Sequence, residues 1–195
     1  MQEGSVTMRV YIVRHGESVN NLNKLWTGWN DVELSEKGRE DAKRAGEIIK
    51  GVSFDRIYSS DLSRAMDTAR IAVPGCEFET SKLFREMNVG TLSGKHLDVI
   101  TSEEKIAADR DGYGLYGGES TEDFTKRVRT AMDMLESAGF NDVAVFSHAG
   151  FLRTFLDEVV GTYIPRQSVC CNNCTVAIFE CENHKWKLHS WINVM

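Results

Sequence analysis

Short apolar runs alternate with longer stretches in which apolar residues recur every three or four positions, and this alternation predicts strands interleaved with helices. Val10 to Val13, Phe54 to Ser60 and Val143 to Phe146 are compact and largely β-branched or aromatic, as strands buried on both faces of a parallel sheet require. Between them, Ser35 is placed to cap a helix reaching about Lys50, with Ala42, Ala45, Ile48 and Ile49 on one face. Gly38 stands where a capping box would need Glu or Gln. Asp61 is expected to cap a second helix, with Leu62, Ala65, Met66 and Ala69 buried, and Ser120-Thr121-Glu122-Asp123 opens a third through Phe124, Val128, Ala131, Met132 and Leu135. Cys76 to Ser81 reads as a further strand. Cys174 to Cys181 and Lys185 to Ile192 read as a closing hairpin.

The pattern weakens twice. Asn20 to Asp31, polar and carrying Trp26 and Trp29, reads as irregular structure whose Thr27-Gly28-Trp29 lies over a site. Residues 92–118, with one short helix near Ser102 to Ala108 and a glycine-rich exit, read as a flap. Strands alternating with helices predict an α/β fold, a three-layer α/β/α sandwich with a mostly parallel central sheet, and 195 residues without an evident linker suit a single domain.

Composition narrows the partners. A net charge of −6 excludes wholesale binding to nucleic acid or an anionic membrane, so any anion site is local. The first seven residues lack a basic start and an apolar core, and no later run approaches membrane-spanning length, which predicts a cytoplasmic protein. Five cysteines, four of them between Cys170 and Cys181, suit reduced thiols. Cys171 and Cys174 have the spacing of half a zinc site, but the other half is missing, and strand alternation sends Cys174 and Cys181 to opposite faces.

Chemistry concentrates where strands end. The first strand runs into Arg14-His15-Gly16-Glu17-Ser18, and the strand at Val143 to Phe146 runs into Ser147-His148-Ala149-Gly150. Arg64 falls in the first turn or so of its helix, outside the apolar stripe, where helix N–H groups already favour an anion. In open α/β sheets these segments meet beyond the carboxyl ends of the strands. Two guanidinium forks and two imidazoles around one point suit a phosphoryl group. Gly16 permits a tight turn or close backbone approach.

Arg14-His15-Gly16-Glu17-Ser18 with Asn21, Ser59-Ser60-Asp61-Leu62-Ser63-Arg64-Ala65, Arg85-Glu86-Met87 and Ser147-His148-Ala149-Gly150 together resemble the histidine phosphatase superfamily, the phosphoglycerate mutase-like proteins, over nearly the whole chain. The resemblance implies that His15 is the nucleophile, Glu86 the proton donor, and Arg14, Arg64 and His148 the phosphate cradle. It further implies that Asn21, Thr27, Gly28 and Ala149 line the substrate side. No metal or other cofactor is called for, since two arginines can take the charge-neutralising part that Mg²⁺ plays elsewhere.

Within that family the chain resembles the small broad-specificity phosphatases acting on small phosphorylated metabolites. The flap offers Lys95, His96, Lys105 and Arg110 but no adjacent basic pair, and Val89 and Leu25 stand where mutases usually carry tyrosine and many members a basic residue. A phosphoglycerate mutase and a non-catalytic binder of phosphorylated ligands are the alternatives. Leaving-group recognition is expected from the flap with Trp26, Tyr113, Tyr116 and Phe151. The sequence leaves the oligomeric state open.

Overall fold

The computed structural model describes residues 7–194. Its strands are β1 (Met8–Arg14), β2 (Arg56–Ser59), β3 (Glu79–Thr80), β4 (Asp142–Ser147), β5 (Val176–Glu182) and β6 (Lys185–Ile192), and its α-helices are α1 (Val19–Leu22), α2 (Glu36–Ile48), α3 (Ser63–Ala72), α4 (Ser102–Asp111), α5 (Thr121–Ser137) and α6 (Ala149–Val160). One sheet joins the strands in the order β3-β2-β4-β1-β5-β6. β1, β2, β3 and β4 pair in parallel, and β5 runs antiparallel to both β1 and β6.

The period-two pleat of β1 divides the core. Val10 and Ile12 enter one apolar cluster with Phe124, Val128, Phe151 and Phe155 of α5 and α6. Tyr11 and Val13 enter another with Ala42, Ala45 and Ala69 of α2 and α3. β4 repeats the device with Val143 and Val145 against Ala144 and Phe146. The result is the expected three-layer α/β/α sandwich. Because the chain leaves β1 and β4 toward opposite faces, their adjacent carboxyl ends form a topological switch point, the crevice where ligands bind in such sheets.

Several local expectations hold and others change. Ser35 caps α2 by accepting from Gly38 N–H at 3.0 Å. Gly38 is glycine for a packing reason: a Cβ on Gly16 would strike the Gly38 backbone, and one on Gly38 would strike Glu17, so the start of α2 lies directly on the turn after β1. Asp61, in contrast, caps nothing. Leu62 occupies the N-cap of α3 without a side-chain bond, and the Asp61 carboxylate is held by the Arg85 fork at 2.6 and 2.7 Å. The expected strand at Cys76 to Ser81 shrinks to two residues, because Cys76 and Phe78 pack onto the α2/α3 side outside the ladder. Ser18 builds a capping box with Asn21 and opens the single turn of α1, which runs into the start of the Asn20 to Asp31 segment read as irregular.

The flap contains α4, longer than expected, among 3-10 turns at Gly90–Leu92, Leu97–Val99 and Gly114–Tyr116, over a small cluster of Val89, Leu92, Ile100, Ala108 and Tyr113. β5 and β6 close as a two-residue hairpin whose Asn183 and His184 both adopt positive φ, the geometry of a type I′ turn. Cys174 and Cys181 are buried in clusters on opposite sheet faces, and among the described residues no three His, Cys, Asp or Glu side chains converge as a metal site. No described helix is long and apolar enough to cross a membrane; the opening residues, Met1 to Val6, lie outside the described part.

Candidate active site

The end of β1 delivers Arg14 and His15 beside Ser147, the last residue of β4, and His148, the N-cap of α6, with Arg14 and Ser147 in register and His15 N–H donating to Ser147 O at 2.9 Å. His15 Nδ1 lies 2.6 Å from its neighbour's carbonyl, Gly16 O. Only a protonated Nδ1 makes that contact favourable, so the tautomer assigned by the hydrogen bonding leaves the lone pair on Nε2. Arg64 Nε, 3.3 Å away, points its N–H at that lone pair.

Arg64 is fully buried, and its other two nitrogens are occupied: Nη1 donates to Asn30 O and Nη2 to Gly28 O, both at 2.8 Å. The Thr27-Gly28-Trp29 loop therefore clamps the guanidinium from above. Burial lowers its pKa to about 10, which leaves it cationic at neutral pH. Arg14 is anchored through Nη1 on Cys171 O while its Nε is buried without a partner. The cysteine-rich stretch thus serves through its backbone. Asn173 joins it, donating to His15 O at 3.1 Å and to Asn21 Oδ1 at 3.2 Å.

His148 is fully buried, its ring centroid 5.1 Å from that of His15. Its Nε2 lies 2.9 Å from Ser60 Oγ, which already accepts from Leu62 N–H at 3.3 Å and so has its proton to give. That assignment makes Nδ1 an N–H donor, buried and unpartnered. Burial first, then the nearby arginines, hold both imidazoles well below the usual histidine pKa, so both are neutral at pH 7.

Those depressed imidazoles couple stability to pH. An unfolded histidine takes its proton near pH ~6.5, whereas His15 and His148 resist until lower pH, so the unfolded chain binds more protons in that window. Their contribution to stability is fully present above that point and is lost as pH falls through the folded values. We expect each to add up to about 1.4 kcal/mol per pH unit to the slope of unfolding free energy below pH ~6.5. Denaturant titrations of the wild type and of a His15→Ala, His148→Asn double variant check this. Identical slopes in the two proteins would contradict it.

Glu86 lies in the loop after the 3-10 turn Lys82–Phe84, where its charge acts on both Arg14 and Arg64. Its Oε1 accepts from Met87 N–H at 2.9 Å and its Oε2 from Gly150 N–H at 3.2 Å. Gly150 must be small, since a Cβ there would collide with Oε1. The backbone beneath Glu86 is gripped by Arg127, whose nitrogens donate to Leu83 O, Arg85 O and Glu86 O at 3.0, 2.8 and 3.1 Å, and by Trp29 Nε1 on Glu86 O at 2.7 Å.

These groups border a cavity of about 300 Å³. Of the residues expected at the site, Arg14, His15, Arg64, Glu86, Asn21, Thr27, Gly28 and Ala149 line it, and His148 lies against His15 behind the wall. Leu25, Trp26, Val89 and Tyr113 also line it, but Phe151 belongs to the core and Tyr116 packs beneath the flap. The flap's basic residues do not reach the cavity: His96 pairs with Asp98 and Arg110 with Asp111, both exposed, and Lys95 and Lys105 are outside its lining. Basic residues that sequence reasoning missed, Lys24, Arg153 and Arg166, enter instead from α1's exit, α6 and the turn after Pro165. Arg153 had a signal, lying four residues after Ala149 on one helix face; Arg127 had another, a charge inside the apolar stripe of α5.

Arg14 Nε, Trp26 Nε1 and Arg153 Nε, on residues that line this cavity, and His148 Nδ1 behind its wall are all buried donors without a partner. A ligand rich in acceptors answers them.

A family model, the histidine phosphatase superfamily (branch 1), matches residues 10–194. The probable phosphoglycerate mutase GpmB of Salmonella choleraesuis is 28% identical over 197 residues, spanning 95% of this chain and 90% of that protein. Among solved structures, phosphoglycerate mutase from Bacillus anthracis superposes with a TM-score of 0.83 at 26% identity, covering 95% of this chain and 93% of its own. Mycobacterial glucosyl-3-phosphoglycerate phosphatase shares the fold with a TM-score of 0.82 at 24% identity, over 95% and 98% of the two chains. A match that runs from the first strand to the last, on a sheet whose strand ends bring both histidines together, means that this chain belongs to the histidine phosphatase superfamily.

Proposed function

We propose that the protein is a metal-independent phosphatase that hydrolyses small phosphomonoesters through a phosphohistidine on His15. The observation that carries this reading is the set of unpartnered donors near a neutral imidazole whose Nε2 lone pair accepts from a buried arginine. The Nε2 lone pair of His15 attacks phosphorus as the ester P–O bond breaks, and Glu86 gives its proton to the departing oxygen. Charge on the transferring group is met by Arg14, Arg64 and the Nδ1–H of His148, donors fixed before the substrate arrives. Water then yields a proton to Glu86 and attacks phosphorus. The P–N bond breaks, inorganic phosphate forms, and both residues return to their starting states.

A second reading is transfer of the phosphoryl group back to a bound hydroxy acid, the activity named for the mutase relatives. It uses the same phosphohistidine and differs in what holds the acceptor. Leu25 and Val89 make the adjoining wall apolar, and the further cations that reach the cavity, Lys24, Arg153 and Arg166, come singly from separate elements with Arg166 already paired to Asp157. This supports hydrolysis over transfer to an acceptor held in a dense second anion site. The test compares phosphate release from several phosphomonoesters with interconversion of 3-phosphoglycerate in the presence of catalytic 2,3-bisphosphoglycerate. We expect release to dominate; interconversion far faster than release would reverse the ranking.

A further inference from the structure

The chemistry above leaves the side of the cavity formed by α4 and α6 unused. Arg153 stands three residues beyond Gly150 on α6, roughly 4.5 Å further along the axis, and its buried Nε has no partner. Its one side-chain hydrogen bond, from Nη2 to Val169 O, is long at 3.4 Å. Asp109, in the last turn of α4, borders the same space half-buried, and among the described residues its carboxylate makes neither hydrogen bond nor ion pair. Arg166 is already committed, with Nη1 on Asp157 Oδ2 at 3.1 Å. Lys24 is exposed. What remains is one guanidinium and one carboxylate on the same cavity, each without an ion-pair partner within 4.0 Å among the described residues.

We propose that Arg153 and Asp109 form a leaving-group subsite that selects phosphomonoesters of zwitterionic amino alcohols, with the carboxylate of the leaving group on Arg153 and its ammonium on Asp109. The assignment rests on the phosphatase reading and adds the substrate class. Burial raises the Asp109 pKa while Arg166 and Arg153 work against it, as expected of a carboxylate that meets cations at a distance and none in contact. A hydroxy-acid phosphate would pair with Arg153 but set its own environment against an unanswered Asp109. An amino-alcohol phosphate without a carboxylate has the converse defect. Apolar walls from Leu25, Trp26, Leu97 and Tyr113 lower the local dielectric and sharpen both penalties. A cavity of about 300 Å³ suits a small leaving group.

The experiment measures kcat/KM for O-phospho-L-serine, 3-phosphoglycerate, O-phosphoethanolamine and glucose 6-phosphate on the wild type, Asp109→Asn and Arg153→Gln. Each value is taken as a ratio to p-nitrophenyl phosphate on the same protein, so losses in folding or in the phosphate cradle cancel. The wild type is expected to favour O-phospho-L-serine over each other ester by roughly tenfold or more, the scale of one charge-assisted hydrogen bond. Asp109→Asn should close the gap to 3-phosphoglycerate, and Arg153→Gln the gap to O-phosphoethanolamine. Turnover of p-nitrophenyl phosphate with no preference among the esters, or with glucose 6-phosphate preferred, overturns the subsite and leaves the phosphatase reading standing. No turnover of any ester overturns the phosphatase reading instead. Calorimetry with O-phospho-L-serine then decides the subsite, which predicts weaker binding in both variants and is overturned by equal binding.

Discussion

Replacing His15 with alanine is expected to lower turnover of every phosphomonoester by roughly 10⁴-fold or more while the protein remains folded. The size follows from what is lost. Arg14 and Arg64 would still bind phosphate, but no other side chain presents a lone pair where Arg64 Nε now meets His15 Nε2. Water would have to attack directly, without the covalent step that divides the reaction. The fold should survive, because the imidazole anchors locally to Gly16 O, while the His15 backbone keeps its bonds to Ser147, Asn173 and Cys174. Steady-state assays beside a thermal melt check this. A loss of tenfold or less would remove His15 from the nucleophile's role.

The second large effect is selective. Glu86→Gln should lower turnover of an alkyl phosphate by roughly 10²–10⁴-fold, the usual scale of general acid–base catalysis, yet cost far less with p-nitrophenyl phosphate. An alkoxide needs a proton as it leaves, whereas the nitrophenolate departs without one. Glutamine keeps an oxygen for one of the two bonds now made from Met87 and Gly150 N–H, so the loop held by Arg127 and Trp29 should stay in place. Equal losses on both substrates would reassign Glu86 to positioning. Unchanged rates on both would take it out of the chemistry.

The layers of this fold are legible in the chain because β1 and β4 carry alternate residues into two separate cores, a demand that only β-branched, aromatic and small apolar residues meet at Val10 to Val13 and Val143 to Phe146. The site at their ends is legible for the same reason: Arg14, His15 and His148 interrupt apolar runs where the sheet must stop. Asp61 misleads because the local pattern of an N-cap competes with a tertiary partner, and the Arg85 fork wins. Cys76 to Ser81 misleads because side-chain packing resembles strand alternation without supplying a ladder. Of the flap's basic residues, Lys95 and His96 lie in the loop between two 3-10 turns and Lys105 and Arg110 on α4, and none of them lines the cavity. The flap's contribution to the cavity comes from Leu97, Ala108, Asp109 and Tyr113 instead. Arg153 lies one helical turn beyond a legible motif, and its meaning depends on a lack of partners that only the packed structure reveals.

The central claim is that phosphate passes through His15 Nε2. Rapid-quench labelling with a ³²P-phosphomonoester, followed by peptide mapping, tests it most directly. The account predicts a transient adduct on the peptide containing His15, labile in acid, stable in base and absent from His15→Ala. Label on Ser18 or Ser60, or label that persists in His15→Ala, would contradict it.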